Sequence, residues 1–172
     1  SEREDFTSEE FKYLTQSSSH KGKSHSQFGY MEGSYEIDTL NLITFSANLF
    51  GYGYESNGLG TTQMMNAQRQ HAYSYNLLSR SESSSTHFNA NFDYQRSFKK
   101  KGEYLTFSYR YGTSPNSNES HTDYANIKDY PYDASYLYNQ FYDSHARTDE
   151  HIFQLDYTNP INKVHSIDFG GK

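Results

Sequence analysis

The stretch THFNANFDYQRSFKKKGEYLTFSYRY, residues 86–111, contains two runs in which apolar or aromatic residues alternate with polar ones. Phe88, Ala90, Phe92 and Tyr94 share one face of the first run, and Leu105, Phe107, Tyr109 and Tyr111 share one face of the second. Asn89, Asn91, Asp93 and Gln95, then Thr106, Ser108 and Arg110, fill the opposite faces. Side chains alternate across a strand, so a period of two predicts two strands, and Lys99-Lys100-Lys101-Gly102 predicts the turn of a β-hairpin. The aromatic face could lie against a dry core, a lipid bilayer or a sugar.

Composition narrows the choice. The chain has 172 residues, enough for one ordinary domain. Only 33% is hydrophobic, yet 17% is aromatic, carried by 18 Tyr and 12 Phe. Aliphatic residues are too scarce for a conventional Leu/Val/Ile core. Such polarity raises disorder as a reading, but disordered chains are poor in aromatics and lack strict alternation. Cysteine is absent, which excludes disulfides and thiolate metal sites. A net charge of −6 leaves no basic surplus to track a phosphate backbone, so nucleic acid is not an expected partner. No run of about 18 apolar residues is present, so no transmembrane helix is expected. The opening SEREDFTSEEF is charged and is no signal peptide, and the closing VHSIDFGGK stops inside an alternating run. These ends lead to the expectation of an internal piece of a longer chain.

Strand patterns dominate. Alternating runs are read at about Gln27–Ile37, Asn41–Gly53, the two arms of the opening hairpin, His151–Thr158, and from near Val164 onward, about six in all. Helical periodicity is almost absent, with a short turn at Thr7–Leu14 as its one candidate. Tight turns fall at Asp38-Thr39-Leu40, at Lys99–Gly102 and at Asn159–Lys163, at equal intervals along the chain. Between them lie long polar connections, roughly Tyr54–Ser85 and Gly112–Glu150. In the first, a smaller hairpin is expected about Asn66–Gln70; in the second, a partly ordered tyrosine-rich loop.

An antiparallel meander with this arrangement puts every tight turn on one edge and every long loop on the other. Outer-membrane barrels have that asymmetry, with an apolar band facing lipid and polar residues facing the lumen. Runs of about nine to eleven residues also suit a tilted strand crossing roughly 30 Å of hydrocarbon. Tyr52, Tyr54, Tyr94, Phe98 and Tyr111 stand at run ends, where an aromatic girdle would lie. The expected fold is all-β: an antiparallel up-and-down meander forming part of an outer-membrane barrel. It would be a single segment over residues 1–172, with a polar loop or strand lead-in over 1–26 and barrel strands with extracellular loops over 27–172. About six strands are fewer than the roughly eight of the smallest closed barrel. A sheet of that size alone would expose two edges and an aromatic face, and would tend to self-associate.

GSYEIDTLNLITFSANLFGYGYESN, NANFDYQRSFKKKGEYLTFSYRYGTSPN and FYDSHARTDEHIFQLDYTNPINKVHSIDFGGK resemble the outer-membrane β-barrel region of TonB-dependent receptor-like proteins. The resemblance runs from about Gln27 onward and implies a middle slice of a larger barrel. It implies outer-membrane lipid, the remaining barrel and a plug as partners, and nutrient binding and uptake as the role. The family's plug, energy-coupling segment and C-terminal aromatic strand have no counterpart here, so this stretch could not by itself perform active transport.

For ligand capture the best candidates are Tyr130, Tyr132, Tyr136, Tyr138, Phe141 and Tyr142, within DYPYDASYLYNQFYD. Flat rings beside Asp and Asn suit sugars, peptides or other nutrients; the plainer reading is girdle and loop self-packing. Asp143, His145, Asp149 and His151 recur at even spacing and offer nitrogen and oxygen ligands. Arg147 on the same face would repel a cation, so no metal site is assigned. His20 and His25, among serines and lysines, read as loop, and GYGYESNGLG follows no βαβ pattern. No nucleophile elbow or phosphate-binding loop occurs, so neither an enzyme nor a cofactor is expected. The alternative function is a soluble or surface-exposed β domain binding glycans through its tyrosine-rich loops, with its aromatic faces turned inward against a second sheet.

Overall fold

The computed structural model describes residues 1–5, 8, 10–161 and 166–172. Among these lie seven strands: β1 (Glu2–Glu4), β2 (Tyr13–Asp38), β3 (Asn41–Met65), β4 (His71–Ser97), β5 (Tyr104–Lys128), β6 (Gln140–Pro160) and β7 (Ser166–Gly171). A single 3-10 turn, Ala134–Tyr136, interrupts the connection between β5 and β6. All seven strands form one sheet in chain order, β1 to β7. Its edge pairings are antiparallel, Glu2 opposite Thr15 at one side and Tyr157 opposite Phe169 at the other. The architecture is therefore an antiparallel meander with β1 and β7 as its two edges.

By proximity the chain divides into two compact units. One comprises residues 1–25, 53–84 and 117–145, and the other residues 26–52, 85–116 and 146–172.

In the second unit the turn residues explain the hairpins. Asp38 Oδ1 accepts hydrogen bonds from the Leu40 and Asn41 amides at 2.8 and 2.9 Å, an Asx turn that closes β2 onto β3. Between β4 and β5 the Phe98 and Glu103 amides donate to Glu103 and Lys100 carbonyls at 2.9 and 3.0 Å, and Gly102 takes a φ of +83°. The two faces separate as the alternation requires. Across one face Asn91 donates to Ser46 at 3.2 Å, Arg110 donates to Asn91 at 2.9 Å, and Thr44 donates to Asp93 at 3.4 Å. Across the other, Tyr109 stacks on Phe153 with centroids 4.8 Å apart, and Phe88 meets Tyr111 at 6.3 Å.

A dry core is absent from the described residues. Ala47 is their one buried apolar residue, whereas Phe153 and Phe28 are 58% and 75% exposed. Apolar burial is the main favourable term in folding, so this sheet draws its hydrophobic stabilisation from whatever covers the aromatic face.

In the first unit, the hairpin between β3 and β4 turns at Asn66–Gln70. Asn66 Oδ1 accepts from the Gln68 and Gln70 amides at 3.0 and 2.9 Å, and Arg69 adopts a φ of +59°. Arg69 lies 4.5 Å above the Tyr13 ring and pairs with Glu2 at 3.3 Å.

Several expectations need correction. The long connections are mostly strand: β3 and β4 run to Met65 and from His71, and β5 runs to Lys128. The loop-or-strand lead-in over residues 1–26 takes strand form in β1 and, from Tyr13, in the first half of β2. Of the helical candidate at Thr7–Leu14, residues 7 and 9 lie outside the described residues, and Tyr13 and Leu14 belong to β2. Pairing to neighbours supplies the backbone partners that this polar segment would otherwise take from helix or water. Five of the strands are long and two are short, in the expected antiparallel meander. The proposed turn at Asn159–Lys163 and the start of the last run near Val164 fall partly outside the described residues.

Candidate functional site

The candidate site lies in the first unit, where β4, β5 and the segment after β5 bring aromatic rings together. Period-two alternation puts Tyr73 and Tyr75 on the same face of β4, with nearly parallel rings 6.5 Å apart. Tyr124 of β5 meets Tyr75 edge-on at 5.6 Å. Tyr130 then packs against Tyr73 at 5.4 Å, Tyr75 at 6.2 Å and Tyr132 at 5.6 Å. Phe11 closes the group, 5.7 Å from Tyr73 and 6.3 Å from Tyr132. Most of these contacts are edge-to-face, the arrangement that opposes the positive ring edge to the negative ring face.

Local hydrogen bonds hold the segment that delivers Tyr130 and Tyr132. Asp133 Oδ1 accepts from the Ser135 amide at 2.9 Å, and the Asn139 side chain accepts from the Tyr124 amide at 3.0 Å. Asp129 lies 3.6 Å from His71 at the start of β4 and has a φ of +51°. The Ser135 amide keeps the Asp133 carboxyl below the usual carboxylate range. Burial among the neighbouring rings pushes the Tyr73 and Tyr130 hydroxyls above their ordinary value, so the cluster is uncharged at neutral pH.

Two concavities adjoin the cluster. One of about 770 Å³ has Tyr73, Tyr132 and Phe11 beside Arg3, Glu4 and Lys12. The other, of about 640 Å³, has Tyr75 and Tyr124 beside Gln16, Ser18, Thr62 and Leu77; its side chains are uncharged, and the Ser1 ammonium that also lines it donates to the Gln16 carbonyl at 2.7 Å.

The structure thus joins only part of the expected set. Tyr130 and Tyr132 enter the cluster. Tyr136 and Tyr138 stand exposed in the following turn, Tyr142 is exposed on β6, and Phe141 packs instead on His121 at 4.6 Å. The residues missed from the sequence are Phe11, Tyr73, Tyr75 and Tyr124. Tyr73 and Tyr75 share a period-two face, which is a signal, but the β4–β5 register that brings them to Tyr124 is not encoded locally.

Within DSHARTDEH the four metal candidates find separate partners. His145 lies 2.9 Å from Asp143, Arg147 lies 2.8 Å from Asp149, and His151 lies 2.9 Å from the Tyr109 hydroxyl. No cluster of three or more such ligands occurs among the described residues.

With the fold and faces in place, residues 96–172 match the model of the outer membrane protein beta-barrel family. This part of the sheet is similar to outer-membrane barrel strands. The matched region takes in the end of β4 and all of β5, β6 and β7. The match places the chain in the cell outer membrane and supports the role of a β-barrel wall. No curated protein and no solved structure matches the chain.

Proposed function

We propose that this wall belongs to a TonB-dependent receptor-like transporter that binds a nutrient and passes it across the outer membrane. Strand length carries the reading. The strands β2 to β6 have 21 to 27 residues, whereas about 9–11 suffice to cross the hydrocarbon. The surplus is polar, and it carries the tyrosine cluster with its two concavities. A barrel wall that only separated lipid from lumen would not need it. Energy coupling through TonB is supported by the resemblance of the segments around β3, β4–β5 and β6–β7 to that receptor class. In this reading the free edges of β1 and β7 pair with further strands of the same barrel, and the Asn91–Arg110 face looks onto a plug.

The test is accumulation of labelled nutrient by cells carrying or lacking the intact protein, with and without a protonophore. Accumulation that requires both the protein and the proton gradient is expected. Protein-dependent uptake that survives the protonophore would make the barrel a passive pore and defeat the proposal.

A further inference from the structure

We propose that the concavity beside Tyr75 and Tyr124 binds a neutral glycan. The inference rests on the uptake reading above and deepens it by naming the ligand class. Three features of the site lead to it.

The first is the pair of rings. Tyr75 and Tyr124 meet at 61° with centroids 5.6 Å apart, so they form two walls of one corner instead of a closed stack. A pyranose has a flat C–H face that lies on an aromatic ring, and hydroxyls around its rim that need hydrogen-bonding partners. The second is the rim. Gln16, Ser18 and Thr62 supply amide and hydroxyl groups around the corner, with Leu77 as its apolar floor. Aromatic surface with a few convergent polar groups is the usual make-up of a small-molecule site.

The third is charge. The lining side chains are uncharged, the Ser1 ammonium at the rim is engaged by the Gln16 carbonyl at 2.7 Å, and Tyr130, which packs on Tyr75, has its hydroxyl held neutral by burial. A carboxylated or phosphorylated ligand would find no side-chain counter-charge there, with the Ser1 ammonium already donating to the Gln16 carbonyl, so desolvating it would be costly. The neighbouring concavity, with Arg3, Glu4 and Lys12, differs on this point. Space is available because β3 carries Gly60 at the wall. A Cβ there would meet only Leu77, with its Cβ at 3.5 Å, an ordinary contact. Any larger side chain would extend from that point into the concavity.

The experiment uses the intact outer-membrane protein in detergent, titrated by calorimetry with maltoheptaose and cellohexaose as neutral probes and oligogalacturonate as the charged one. One or both neutral probes should bind in preference to the charged probe. Tyr75→Ala and Tyr124→Ala should each weaken that binding about tenfold, the size of one lost aromatic contact. Tyr75→Phe should retain most of it, and Tyr136→Ala all of it. Gly60→Val fills the concavity with a residue suited to a strand, so it should remove binding while leaving heat-modifiable migration of the folded barrel unchanged.

Binding of oligogalacturonate alone, of none of the three, or of a neutral probe equally well in the Gly60→Val protein would overturn the glycan assignment. Each of those results leaves gradient-driven uptake of another nutrient standing. Conversely, a neutral glycan bound at Tyr75 but taken up without the proton gradient would defeat the transporter reading and leave the site intact.

Discussion

At the scale of single residues, the clearest case is Asp38. Its carboxylate accepts from the Leu40 and Asn41 amides and from the Asn41 side chain at 2.8 Å, and the Leu40 bond is the main cause of a pKa below the ordinary range. A carboxyl whose folded pKa is lowered stabilises the fold above its unfolded pKa, about 3.9 for Asp. That contribution fades as pH falls through the folded value. Hydrogen-exchange protection of the Leu40 and Asn41 amides should therefore drop several-fold on acidification from about pH 5 to about pH 3. In Asp38→Asn the protection should be lower at the start and flat across the same range. An equally steep loss in that variant would assign the transition to another group. Asp38 was readable as a turn residue from sequence because Asx turns are local, spanning three residues. The Tyr75–Tyr124 corner was not, because its partners lie on different strands and meet only through register.

At the scale of elements, the alternating runs and the tight turns were legible, and the ends of the strands were not. Phe88, Phe92, Leu105 and Phe107 alternate with polar residues, which marks a two-faced strand. Past Gly112 the chain reads SPNSNESHTDYAN, polar on both faces, and period-two contrast disappears although β5 continues to Lys128. Strand formation there comes from hydrogen bonding to β4 and β6, a property of the sheet and not of the segment. The β4–β5 turn offers the element-scale test. Gly102 has a φ of +83°, where an L side chain is strained, although its nearest neighbour, Pro160, would sit at an ordinary 3.5 Å. Gly102→Ala should cost about 1–3 kcal/mol in urea unfolding from lipid vesicles. Gly33→Ala, in the regular part of β2 with open space around it, should be neutral or slightly stabilising. Equal effects would mean that the backbone angle at Gly102 does not limit the substitution.

At the scale of the whole molecule, the lack of a dry core among the described residues and the family match over residues 96–172 lead to one consequence: the two faces of the second unit should respond oppositely to charge. Phe153 stands on the aromatic face, stacked on Tyr109 and 58% exposed. Ser108 stands on the polar face, lining a shallow concavity with Asn91, Asp93 and Gln154. With lipid against the first, Phe153→Arg places a charge in hydrocarbon and should cost about 2–4 kcal/mol, most if it lies near the midplane. With the opposite face on the lumen, the Ser108→Arg charge stays hydrated and gains Asp93, which lines the same concavity, as an acidic neighbour. Its cost should be small, and any effect should appear in what passes through the barrel. The measurement is reversible urea unfolding of the intact protein from vesicles, monitored by tyrosine fluorescence. A soluble domain with its aromatics against a second sheet would also suffer from Phe153→Arg, but it would unfold identically with and without vesicles. A barrel wall should lose most of its stability when the lipid is removed, because lipid contact replaces the core that the sequence, at 33% hydrophobic, does not provide.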